Sequence, residues 1–280
     1  MNLSLVKTAG IVTREIKYGD SGKIVTVITR DLGRISAIAG NVRTGKSHML
    51  AGLQMFAYSE FVLFRGKNKK GLYSLNEVTA AETFSNIRMS LDKLAYASYF
   101  AEVVNRTASE DAPDEELLRL LLNALYVLDR DLQPYEKIKT VFEWRLAYTA
   151  GYAPVTDCCG NDGGCGVRSE SGRDGAEHEP LAWLSPLQGR AYCEKCGAAV
   201  EDAVRLTPSM LKIIGYICTA DSKKIFAFDA SEKTVDYLSR VSELYLKIQL
   251  EHEFGTLDYL KKVTALNSAP AKTEDIGGNE

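Results

Sequence analysis

The chain has 280 residues, 45% hydrophobic and 25% charged, with a formal net charge of -3, a make-up that suits a globular protein with a sizeable core. No apolar run reaches the ~18–20 residues of a membrane-spanning helix, and the first residues lack the basic, apolar and small-residue regions of a secretory signal, so a cytoplasmic protein without a membrane partner is expected. The charge is unevenly spread: residues 1–75 carry twelve Lys/Arg against four Asp/Glu, net +8, which leaves 22 basic and 33 acidic side chains, net -11, for the rest. A basic head on an acidic body points to a polyanion as the head's partner; the alternative is a head docked on its own acidic body.

In chain order, residues 8–39 read as three short β-branched strands, Gly10–Ile16, Lys23–Thr29 and Arg34–Ala39, separated by turns at 18–22 and 31–33. Glu60–Arg65 and Gly71–Leu75 add two more around the basic turn 66–70. Five such strands with glycine-bearing turns predict a small antiparallel barrel or meander. Around Val78–Phe84 the pattern switches to helix, with Ile87, Leu91, Leu94, Ser98 and Ala101 on one face. A second helix begins in Asp111–Glu116, where an early proline and first-turn acids suit an N-terminus, and continues along Leu117, Leu121, Leu125 and Leu128. A third follows Pro134 and ends at Gly151. Residues 155–200 break the pattern. Helices resume at Pro208–Thr219, about Ser231–Glu251 and Thr256–Leu266, and the polar stretch 267–280 reads as a disordered tail.

Gly40-Asn41-Val42-Arg43-Thr44-Gly45-Lys46-Ser47 matches the phosphate-cradling pattern G-x-x-x-x-G-K-S. A working P-loop needs a substantial helix after it and further βαβ units. Here only His48–Tyr58, interrupted by Gly52, separates it from the next strand, and no later apolar strand ends in an Asp to hold a metal. The run therefore reads as a basic loop facing a phosphate backbone, with a P-loop NTPase as the alternative. Arg30, Arg34, Arg43, Lys46, Arg65, Lys67, Lys69 and Lys70 lie at strand ends and turns, where they could neutralise phosphates. Tyr18, Phe61, Phe64 and Tyr73 are nearby, but such rings are more often core, so the charges are the expected contacts.

Five of the six cysteines, at 158, 159, 165, 193 and 196, fall within 39 residues, which in a cytoplasmic chain favours metal over disulfides. Cys193-Glu194-Lys195-Cys196 is half of a structural zinc site. The other half is Cys159 with Cys165; Cys158 could replace Cys159, and His178 is a further alternative. A closed four-thiolate site leaves no position for water and hence no catalytic role. Cys218, on an apolar helix, reads as a core residue. His48, His178 and His252 lie in unrelated contexts, and Glu143 and Arg145 read as a structural pair or cap, so no catalytic constellation is expected. A zinc-stapled protein-interaction module remains an alternative.

The order of several stretches is similar to that of the bacterial RecO family over almost the full length. They are Gly10-Ile11-Val12, Tyr18-Gly19-Asp20, Lys23–Arg30, Gly33–Ala37, the basic loop leading to Leu53-Gln54, Leu72–Leu75, Tyr96–Glu102, Phe142–Leu146, Gly151–Pro154, the cysteines and His252–Leu260. The resemblance implies an α+β protein: an OB-fold DNA-binding domain at 1–78, a helical domain at 79–154 and 204–266, and a zinc module at 155–203. It also implies a non-enzymatic DNA repair and recombination mediator that binds single- and double-stranded DNA and anneals complementary strands. Its partners would be RecR, the single-stranded-DNA-binding protein and, indirectly, RecA. The family's usual pair of C-x-x-C motifs is here stretched in its first half.

Overall fold

Alternation of inward and outward residues in the first strands closes a sheet on itself. The computed structural model describes residues 4–40, 42, 47–65, 72–110, 112–161, 165 and 180–268. Strands β1 (Ser4–Tyr18), β2 (Gly22–Thr29), β3 (Gly33–Ala39), β4 (Tyr58–Arg65) and β5 (Leu72–Glu82) form a closed barrel in the order β1-β2-β3-β5-β4. All neighbours are antiparallel except β3 and β5. This is the OB-fold arrangement expected. Every second side chain points inward, as strand geometry requires, so Val25, Val27, Ile35, Ala37, Phe61, Leu63, Tyr73 and Val78 fill the interior. Helix α1 (Ser47–Gly52) lies between β3 and β4 and plugs the barrel with Met49, followed by Leu53.

Two strands run longer than their sequence suggests. β1 pairs with β4 as far as Ile11 and with β2 from Gly10 to Tyr18, bending at an irregularity between Val12 and Arg14. β5 continues through Glu82, where a helix was expected from Val78. Val78 pairs with Phe61 and is buried in the barrel; cross-strand packing decides a stretch that periodicity alone leaves ambiguous.

The helical body comprises α2 (Ser85–Met89), α3 (Leu91–Thr107), α4 (Glu115–Asp129) and α5 (Tyr135–Thr149), then α7 (Pro208–Thr219), α8 (Glu232–Gln249) and α9 (Gly255–Ser268). Side-chain oxygens cap four of them. Ser90 accepts from the Lys93 amide, Asp114 from Leu117, Thr207 from Met210 and Ser231 from Thr234; each satisfies an amide the helix cannot. α5 is the central element, with Ile138 through Ala147 all buried. No described helix is long and apolar enough to cross a membrane. The tail segment 269–280 lies outside the described residues.

The cysteine-rich stretch is not irregular throughout. β6 (Leu181–Ser185), β7 (Arg190–Cys193) and β8 (Val204–Arg205) form a sheet in the order β7-β6-β8, and the short helix α6 (Glu194–Gly197) follows β7. Such short strands carry too few residues for a readable period.

The barrel and helices share apolar packing. Ile11, Ile28 and Phe56 belong to the cluster built by α3, α4, α5 and α8 rather than to the barrel interior. At the junction Gly33 has φ +68°, and a Cβ there would lie 2.4 Å from the Ala112 carbonyl oxygen, so both conformation and space demand glycine.

Candidate nucleic-acid interface and metal centre

The β6–β7 hairpin and the turn into α6 bring the thiols together. Cys193 ends β7 and Cys196 lies in α6. The segment carrying Cys159 is held alongside by the Gly160 amide, which donates to Ala191 O at 2.8 Å. The Sγ atoms of Cys159, Cys165, Cys193 and Cys196 all lie within 4.8 Å of one another, and Cys165 and Cys193 are 3.5 Å apart. Four thiolates about 2.3 Å from a tetrahedral ion have edges of about 3.8 Å, so the group fits a metal. Cys159, not Cys158, belongs to it, and all described cysteines are free of disulfides. Asn161 Nδ2 donates to Cys196 Sγ at 3.2 Å, a bond that restrains a ligand from outside the shell and that spacing alone did not reveal. Gly197 packs so closely on Trp183 that a Cβ would meet its ring at 2.4 Å. His178 lies outside the described residues.

On the barrel, Arg30 is exposed and its Nε approaches Asp31 Oδ1 at 3.4 Å. Arg34 turns towards the helices: Nη1 donates to Asn105 O at 2.7 Å and Nη2 to Glu110 Oε1 at 3.0 Å. Arg65 ends β4, with its guanidinium carbon 5.8 Å from the Tyr73 ring centroid. Arg43, Lys46, Lys67, Lys69 and Lys70 lie outside the described residues, as does most of Gly40–Ser47; the helix that follows that loop, α1, has six residues and is spent on plugging the barrel. The structure adds three cations that strand ends and turns did not single out. Lys7, Arg14 and Lys17, all on β1, are exposed and have no acidic partner among the described residues. The available signal was their spacing within a strand longer than its β-branched segment. Of the four nearby rings, Phe61 and Tyr73 are buried, Phe64 is half-buried and Tyr18 is exposed.

Between barrel and helices lies a cleft of about 680 Å³, lined on one side by Arg14, Thr26 and Ser36 and on the other by Ser98, Glu102 and Asn105. Thr13 Oγ1 donates to Asn105 Oδ1 at 2.8 Å across it.

The charged pair on α5 is structural. Arg145 Nη1 donates to Cys218 O at 2.5 Å and Ala220 O at 3.0 Å, satisfying carbonyls at the end of α7. Glu143, fully buried, meets Lys139 Nζ at 3.0 Å and accepts from Tyr99 and Ser242 hydroxyls at 2.6 Å each. Burial raises the Glu143 pKa against the pull of Lys139 and the hydroxyls. Burial presses that of Lys139 down, but Glu143, Glu243 and Glu136 outweigh it and the net shift is upward. Burial pushes the Cys218 thiol up to about 12, with Arg145 opposing, the behaviour of an inert core cysteine.

Comparison with known proteins agrees with this architecture. Residues 1–84 match the family model described as Recombination protein O N terminal, and residues 88–258 match Recombination protein O C terminal. The DNA repair protein RecO of Acetivibrio thermocellus is 35% identical over 92% of this chain and 97% of its own length. Those of Pelotomaculum thermopropionicum and Alkaliphilus metalliredigens are 30% and 29% identical, over 96% and 92% of this chain and 97% and 100% of their own lengths. A closed five-stranded barrel leading into a helical body, with both halves matched in order, places this chain in the RecO family.

Proposed function

We propose that the protein is a DNA repair and recombination mediator that acts without catalysing a covalent reaction. The barrel binds single- and double-stranded DNA and anneals complementary strands. With RecR, the protein helps load RecA onto strands coated by the single-stranded-DNA-binding protein, in the cytoplasm at the nucleoid. The observation that carries this reading is the closed OB-type barrel with exposed cations on its exterior, Lys7, Arg14 and Lys17, which have no acidic partner among the described residues, since cationic side chains around such a barrel neutralise a phosphate chain. Arg30, Arg43, Lys46, Arg65, Lys67, Lys69 and Lys70 extend the same basic head. Holding one strand by its backbone leaves bases free to pair with a complement.

Fluorescence anisotropy with labelled single strands and duplexes across a salt series tests it. Affinity falls with salt, by a log–log slope of about -0.7 per neutralised single-strand phosphate, and charge reversal at Arg14 and Lys17 lowers both affinity and slope. Binding that requires ATP and Mg²⁺ and disappears in Lys46→Ala supports the nucleotide-hydrolase reading instead.

The metal we assign is a structural zinc ion on Cys159, Cys165, Cys193 and Cys196. The donor set and separations support it: four thiolates suit zinc and leave no open position. Bound there, the ion staples the segment around Cys159 to the β6–β7 hairpin. Metal analysis of the purified protein and of Cys196→Ser tests the assignment; equal zinc in both overturns it.

A further inference from the structure

Building on the reading of the barrel as a DNA-binding module, we propose that the β1–β2 hairpin is a base-stacking platform for single strands, with Tyr18 as its main stacking surface. Strand register sets Ile16 opposite Ile24 and Ile24 opposite Ile38, a row of three apolar side chains across the outer face of three strands. Ile16 is 47% exposed, Ile24 and Ile38 are partly exposed, and none joins either apolar core. Tyr18, two residues beyond Ile16 on the same face, is 50% exposed and has neither a hydrogen bond nor a ring contact among the described residues. A half-exposed aromatic side chain leaves much of its apolar surface unused by the fold, and large apolar groups left together on a surface mark a contact site.

The flanking charges select the occupant. Arg14, with Thr26 and Ser36 beside it in register, forms a polar row next to the isoleucines, while Lys17, between Ile16 and Tyr18, lies on the opposite face at the hairpin end. Both cations are exposed and have no acidic partner among the described residues. An apolar strip bordered by hydroxyls and the exposed Arg14 matches a chain that alternates aromatic bases with phosphates. The hairpin also holds Glu15, tied to Lys23 at 2.9 Å, and Asp20, so its net charge is small. It adds stacking on Tyr18 to the phosphate contacts of Arg14 and Lys17. Stacking on Tyr18 needs an unpaired base, which a duplex does not present, so the platform makes the barrel favour single strands. A few bases held there leave flanking nucleotides free for pairing.

The test compares the whole protein with Tyr18→Ala, Tyr18→Phe and Ile24→Ser, using labelled single-stranded and duplex oligonucleotides across a salt series and a 2-aminopurine-containing single strand. Tyr18→Ala is expected to lose about 5- to 150-fold in single-strand affinity, the range for one base–aromatic stack. Its salt slope and duplex affinity stay unchanged, and 2-aminopurine quenching is lost. Tyr18→Phe, which keeps the ring, binds as the parent does, and Ile24→Ser weakens single-strand binding in the same selective way. A Tyr18→Ala protein that binds single strands as tightly as the parent, or loses duplex and single-strand affinity equally, overturns the platform. A parent protein that binds neither form of DNA overturns the barrel's proposed role itself.

Discussion

Arg34 donates from Nη1 to the main-chain oxygen of Asn105 at 2.7 Å, which ties β3 to the last turn of α3. A guanidinium is well matched to carbonyls at a helix C-terminus, and its other arm holds Glu110. Arg34 thus works as a strut between barrel and helices. Arg34→Ala is expected to lower stability by about 1.5–3 kcal/mol, the range for hydrogen bonds to a charged group, seen as a lower melting temperature, with the salt slope of DNA binding unchanged. A smaller slope at unchanged melting temperature would instead put Arg34 among the DNA contacts.

The buried network on α5 sets a larger effect. Glu143 is the acceptor shared by Lys139, Tyr99 and Ser242, and Glu136 accepts from Tyr96 and Ser239 next to it. Glu143→Ala removes one charge of a buried pair and takes the Tyr99 hydroxyl's acceptor away, while Ser242 keeps Ser239 O, so urea unfolding should show a loss of about 3–5 kcal/mol. Replacing both partners, Lys139→Met with Glu143→Leu, should cost less than the single change, because no buried charge is left unpaired.

The two adjacent cysteines should behave oppositely. Cys159 lies within the thiol group and Cys158 outside it. With zinc bound, Cys159→Ser should lower the metal content and expose the β6–β7 hairpin to protease, while Cys158→Ser should change neither. Equal loss in both variants would show that the two thiols exchange as ligands.

Acid sensitivity should trace in part to Asp131. The hydrogen bond from Lys93 Nζ, 2.6 Å, lowers its pKa below the ordinary 3.8, and Tyr135 adds to the effect. A carboxylate with a depressed folded pKa stabilises fully above its unfolded value and loses that contribution as pH falls through the folded one. Asp131→Asn should therefore be less stable than the parent at neutral pH, with the difference fading below about pH 3.8. Asp131 is largely exposed, so the difference is small. Asparagine also suits the residue's φ of +53°. Melting curves of both proteins from neutral to acid pH provide the check.

Much of this was legible in the sequence because the residues concerned carry local signals. β2 and β3 alternate cleanly, α4 has its cap and its leucine stripe, and Cys193 and Cys196 sit at ligand spacing. What was hidden depends on partners distant in sequence. Val78 and Thr79 look like the start of a helix until Phe61 and Glu60 pair with them. Arg34 looks like another loop cation until Asn105 arrives 71 residues later. Tyr18 could be told from Phe61 only once the barrel had an inside and an outside.

Ile11, Ile28 and Phe56 also limit how the chain can be divided. They leave the barrel and enter the helical cluster, where α3 and α4 reach β1. A chain cut after β5 would hand these three side chains to water, at about 1.5–3 kcal/mol each. Grafting this barrel onto another helical body would succeed only if the new α3 and α4 offered a matching seat. Exchange of either half for a foreign one is expected to meet the same constraint, because the seat for these three side chains is built by the other half.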